Sequence, residues 1–184
     1  NAGSGVFIED SWENTIGGLT AEPGAPPGNV ISGNDQNGIE IVNGAENNVV
    51  QGNLIGTDAT GTKKLGNTHG VLITNSPSNR IGGADEGAGN VISGNHGHGV
   101  WIDGSGATNN AVEGNRIGTD KGGGQAIPNA GVGVILAHDA MRNRIGGRNS
   151  IFGNVGLGID LVPGGVTPND PGDADGSPNH LQNF

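Results

Sequence analysis

The chain has 184 residues, 39 of them glycine, with 32% apolar and 3% aromatic residues and a net charge of −10. That is too little apolar material for an ordinary globular core, and the acidic balance argues against a nucleic-acid partner and an anionic membrane surface. No apolar run reaches the roughly 18 residues that span a bilayer, so no membrane insertion is expected; there is no cysteine, and neither an initiator Met nor a signal-peptide pattern opens the chain.

Taken in order, the chain predicts short strands and no helix. The first unit, about residues 5–37, opens on Gly5 with the apolar-x-apolar step Val6-Phe7-Ile8. Asn14 follows, with Ile16 two places on, then an insert at 19–28 rich in Pro and Gly, then Asn29 with Ile31, then Asn34 as a polar stop. The second unit, 38–69, repeats this as Gly38, Asn48 with Val50, Asn53 with Ile55, and Asp58, but its insert lies at 59–69. The third, 70–98, has Gly70, Asn79 with Ile81, an insert at 84–89, Asn90 with Ile92, and Asn95. The fourth, 99–132, has Gly99, Asn110 with Val112, Asn115 with Ile117, Asp120, and an insert at 121–132. The fifth, 133–157, has Gly133, Asn143 with Ile145, Asn149 with Ile151, Asn154, and almost no insert. A sixth begins at Gly158 and fades into a Pro-, Gly- and Asp-rich acidic tail, 163–184, read as a cap or linker.

Three short strands per period of roughly 30 residues is the signature of a solenoid. Like residues recur in the same order and direction, which stacked parallel coils explain and hairpins do not. We therefore expect an all-β fold, a right-handed parallel β-helix of five to six coils of three short strands over residues 1–162. The hand follows from the preference of parallel crossovers. Stacking puts Asn over Asn, so that Asn14, Asn48, Asn79, Asn110 and Asn143 form one structural ladder, and Asn29, Asn53, Asn90, Asn115 and Asn149 a second. The small residues Ser11, Ala45, Ser76, Ala107 and Ala140 fit the crowded corner before the first ladder.

The phrases GNVISGN, GNLIGTDATGT and NRIGG, with the tail NDPGDADGSPNHLQNF, resemble the parallel β-helix repeats of large secreted or surface-displayed bacterial proteins. The resemblance covers nearly the whole chain and implies an extracellular or cell-surface, bacterial-type setting. The fold it implies is more distantly similar to that of pectate lyases, polygalacturonases and alginate epimerases. No catalytic motif of theirs carries over residue by residue.

Candidate chemistry centres on the outward residues of the first strands. Alternation gives one column of Phe7, Glu40, Leu72, Trp101, Ile135 and Asp160 and another of Glu9, Val42, Thr74, Asp103, Ala137 and Val162. Glu40, Asp103 and Asp160 are the candidate catalytic acids, and Trp101 a candidate sugar-stacking residue, with burial under the inserts at 59–69 and 121–132 as the alternative. The face carries no Arg or Lys to hold an acidic sugar. His69 and His98 each precede a first-strand Gly and should stack, with His96 nearby; either they bind a metal or they continue a polar ladder from Asn37. In the tail, Asp170, Asp173 and Asp175 gather carboxylates around Gly, the chemistry of a Ca²⁺ site or of an acidic linker, and no other cofactor is implied.

Two functions stand side by side. One is a non-enzymatic spacer or adhesive module of a longer protein, whose partners are further β-helix coils or neighbouring copies of itself joined end to end. The other is a polysaccharide-active lyase, epimerase or hydrolase, or a carbohydrate-binding module, working on the first-strand face.

Overall fold

A computed structural model describes residues 1–162. Its elements are sixteen short strands, and no helix occurs among these residues. The first coil carries β1 (Val6–Glu9), β2 (Thr15–Gly17) and β3 (Val30–Ile31), and the second β4 (Ile39–Val42), β5 (Val49–Gln51) and β6 (Leu54–Ile55). The third carries β7 (Val71–Thr74), β8 (Arg80–Gly82) and β9 (Val91–Ile92), and the fourth β10 (Val100–Asp103), β11 (Ala111–Glu113) and β12 (Arg116–Ile117). The fifth carries β13 (Val134–Ala137), β14 (Arg144–Ile145) and β15 (Ser150–Ile151), and β16 (Ile159–Leu161) opens a sixth.

These strands form three parallel sheets, each built from one strand per coil. The first sheet runs β1-β4-β7-β10-β13-β16, and the second and third hold five strands each. The register superposes like on like: Ile8 pairs with Ile41, Ile41 with Ile73, and Ile73 with Ile102. The expected parallel solenoid is therefore what the chain forms, with five complete coils.

The core is narrow because each strand supplies only one or two inward residues. Ile39, Ile41, Val50, Ile55, Ile73, Ile81, Ile92, Ile102, Val112, Ile117 and Leu136 are fully buried in continuous columns. Burying such a side chain is worth about 1.5–3 kcal/mol, so a few per coil replace the missing aromatic mass. The columns are less covered in the end coils: Val6, Ile16, Ile145, Ile151, Ile159 and Leu161 are only partly buried.

Asparagine closes the corners in three ladders rather than two. In the first, Asn48 donates its backbone N–H (3.0 Å) and its Nδ2 (2.9 Å) to Asn79 Oδ1. Asn79 Nδ2 also donates back to Ala45 O at 2.9 Å. Both amide hydrogens and both oxygen lone pairs are thus used, which is how a buried amide avoids its desolvation cost. The second ladder repeats this from Asn29 to Asn149. The small residues fit as expected, with Ala45, Ser76, Ala107 and Ala140 fully buried.

The third ladder corrects the sequence reading of the polar stops. It runs Asn1, Asn34, Asn67, Asn95, Asn129, Asn154. Asp58 and Asp120 are not its members. The inserts of coils 2 and 4 precede the ladder residue, so Asn67 and Asn129 take those places. Asp58 and Asp120 instead start the two inserts, each folding into a short antiparallel hairpin through Thr57–Lys64 and Thr119–Ala126. Their carboxylates accept backbone N–H bonds inside the turn, from Thr62 and Lys63 in one and from Gly124 and Gln125 in the other.

Inserts on the other corner, between the second and third sheets, belong to coils 1 and 3. They meet over coil 2, where Thr20 N donates to Gly87 O at 3.1 Å and both inserts bond to Gly52.

Candidate functional site

The first sheet presents the expected outward column, since Phe7, Glu40, Leu72, Trp101, Ile135 and Asp160 are consecutive register partners. Its acids do not converge. Glu40 and Asp160 are four coils apart, about 19 Å at the ~4.8 Å coil spacing. Asp103 stands in the neighbouring column, two coils, or about 10 Å, from the level of Asp160. Paired glycosidase carboxylates lie roughly 5–9.5 Å apart, so no two of these acids flank one bond.

Each acid has a local setting. Glu40 Oε2 accepts from Ser4 Oγ at 2.6 Å and from Asn37 Nδ2 at 3.2 Å. Asp103 Oδ1 meets His138 Nδ1 at 2.6 Å, and that hydrogen bond holds the exposed His138 ring above the usual histidine range. Asp160 Oδ1 is buried with no hydrogen-bond partner among the described residues, as are Asn37 Oδ1 and Trp101 Nε1. None of these three acids is paired with a second carboxylate among the described residues.

His69 and His98 stack as the repeat predicts, with ring centroids 5.2 Å apart and planes at 6°. Trp101 packs edge-on to both, at 5.0 and 5.5 Å. His69 Nδ1 accepts His98 N–H at 2.9 Å, and His98 Nδ1 accepts Val132 N–H at 3.0 Å. These bonds fix the neutral tautomer with hydrogen on Nε2. Burial holds both rings below the usual histidine pKa, with the His98 ring adding to the effect on His69 and Asp160 opposing it on His98. A neutral imidazole whose Nδ1 is taken and whose Nε2 carries hydrogen has no lone pair for a metal. Among the described residues no three His, Cys, Asp or Glu side chains gather to hold a metal ion. The two rings form a step of their own, from His69 through His98 to Val132 N–H, and Asn37, whose Nδ2 goes to Glu40, is not joined to it by a side-chain bond among the described residues.

Trp101 is half-buried and Ile135 only 8% exposed, so the apolar run on this face is largely covered. The ring contacts on Trp101 come from the histidines that end their corners, not from the bodies of the inserts. Asp170, Asp173 and Asp175 lie outside the described residues.

The sequence reading passed over the arginines. Arg116 and Arg148 line a cleft of about 300 Å³ beside the insert of coil 3. The repeat gives no hint of this, because the two occupy different positions in their coils and meet only through insert geometry. No protein-family model, curated protein or solved structure matches the chain.

Proposed function

We propose that the chain is a non-enzymatic β-solenoid module, a spacer or adhesive segment of a longer extracellular or surface protein, continued end-on by further parallel coils. The observation that carries this reading is where its apolar surface lies. Of eight exposed large apolar side chains among the described residues, all but Leu65 sit in the first coil (Phe7, Trp12, Leu19, Val30) or the fifth (Phe152, Val155, Leu157). Phe7 is 56% exposed, Trp12 63% and Val155 72%. Monomeric surfaces rarely gather apolar groups in this way, and contact surfaces do.

The scattered acids of the first sheet support the same reading, since each is held by its own neighbour or stands alone. The resemblance of the repeats to those of secreted bacterial proteins supports the setting. Incubation with a panel of neutral and acidic polysaccharides should release no product. Product that appears with the unmodified chain and vanishes in Glu40→Gln, Asp103→Asn or Asp160→Asn would replace this reading with an enzyme working on the first sheet.

A further inference from the structure

The fifth coil ends in an open face. Ile145 and Ile151 are only partly buried, and Phe152, Val155 and Leu157 are exposed. In the second ladder the backbone N–H of each earlier Asn goes to the Asn Oδ1 of the next coil, but that of Asn149 has no partner among the described residues. The face is also charged. Arg142, Arg144 and Arg148 stand exposed on this coil against the single acid Asp139, and no other coil has more cations than acids.

Three features of residues 163–184, which lie outside the described residues, match that face. The second ladder reads Asn-x-apolar in all five coils, from Asn29 with Ile31 to Asn149 with Ile151, and the tail holds this step once, as Asn179-His180-Leu181. The step comes at the right distance. Asn179 lies 18 residues after Leu161, the inward residue of β16, where coils 1 and 3 take 21 and 17 residues from Ile8 to Asn29 and from Ile73 to Asn90. Those two coils carry inserts at this corner, and the residue ahead of their ladder Asn, Gly28 or Gly89, has no positive φ, so a proline such as Pro178 suits the place. Finally, the tail carries Asp170, Asp173 and Asp175 and no Lys or Arg.

The first ladder does not carry over in the same way. Asn169 stands eleven residues after Gly158, as Asn110 does after Gly99, but Pro168 cannot take the φ of 55° to 58° found ahead of every Asn in that ladder. The three acids fall between Asn169 and Asn179, and the matching stretch of coil 5, between Asn143 and Asn149, holds Arg144 and Arg148. We propose that the chain's own tail covers this end of the stack. Asn179 sits over Asn149 and accepts its N–H, His180 and Leu181 pair with Ser150 and Ile151 as a sixth strand of the third sheet, and the acids lie against the arginines. This rests on the reading above that the ends of the stack are contact surfaces, and it names the occupant of one of them.

The test is amide exchange followed by NMR on the full chain. The Asn149 N–H should be protected to the same degree at every protein concentration. Asn179→Leu removes the acceptor and should speed exchange at Asn149 at least about tenfold, while the Asn115 N–H, which is bonded to Asn149 Oδ1, stays as slow as before. Asn183→Leu, off the ladder, should change neither. Exchange at Asn149 as fast as in an open loop, or protection that Asn179→Leu does not lower, would overturn the proposal. Protection that grows with protein concentration would overturn it in favour of a second copy on this face. None of these results touches the polysaccharide test of the spacer reading, so the two fail separately.

Discussion

Asn110 receives the backbone N–H of Asn79 at 2.8 Å and its Nδ2 at 3.2 Å, and gives its own Nδ2 to Ser76 O and Asn143 Oδ1. Leucine has the same branched outline of four side-chain heavy atoms and none of these bonds. Asn110→Leu therefore strands several groups that are out of water, and at roughly 1–3 kcal/mol for each it should cost about 3 kcal/mol or more. Asn14 is exposed, and no donor reaches its Oδ1 among the described residues, so Asn14→Leu should cost clearly less. Chemical denaturation of the two variants checks the ratio; equal losses would mean the ladder is not what holds the corner. Two of the ladders were legible in the sequence because each of their Asn residues lies two places before a core residue. The third was obscured because an insert of variable length precedes it, so Asp58 and Asp120 took the places of Asn67 and Asn129. Equally hidden was the left-handed residue ahead of the first ladder: Glu13, Asn47, Ser78, Asn109 and Arg142 all have φ between 55° and 58°. Only two of the five are of the type that favours that region, so residue identity carries little signal there.

At the scale of the element, the His69–His98 step couples a corner to pH. Protonating either Nδ1 removes its acceptor from a backbone N–H of the next coil and places a charge beside a second imidazole. Both pKa values are lowered in the fold, chiefly by burial. The unfolded chain therefore takes up protons first, and stability is lost as pH falls below the ordinary histidine value of 6.5. His138 works in the opposite sense: its raised pKa gives a contribution present below 6.5 and lost as pH rises through the folded value, but its full exposure keeps the effect small. Melting curves between pH 7.5 and pH 5 should fall for the native chain and flatten when His69 and His98 are both replaced by Asn, the residue that Asn37 already provides in that row. A fall of the same size in the double variant would assign the acid sensitivity elsewhere. The stack itself was readable because each His immediately precedes a first-strand Gly. The cleft was not, because Arg116, Arg148, Asp85 and Glu86 come from three coils and are brought together by insert lengths rather than by the repeat.

For the whole molecule, the ladders have a direction. In the first two ladders the backbone N–H of each Asn is donated to the Asn Oδ1 of the next coil, so the first coil presents the unfilled oxygens of Asn14 and Asn29, and the fifth presents the backbone N–H groups of Asn143 and Asn149 without partners among the described residues. Only a coil running the same way can meet either end with donor facing acceptor. The first sheet has one strand more than the others, so a coil added beyond β16 must enter at the second sheet. Solenoid stability is close to a sum over coils and their interfaces, and one more correctly directed coil should stabilise the stack. The most direct measurement is the melting temperature, with amide exchange across β1, β2 and β3, of a chain in which residues 38–69 are fused ahead of Gly5. That fusion places Asn48 over Asn14, Asn53 over Asn29, and His69 before Gly5. The account predicts a higher melting temperature and slowed exchange in β1 to β3. An unchanged melting temperature with exchange as fast as before would contradict it, because the first coil would then have no use for a neighbour.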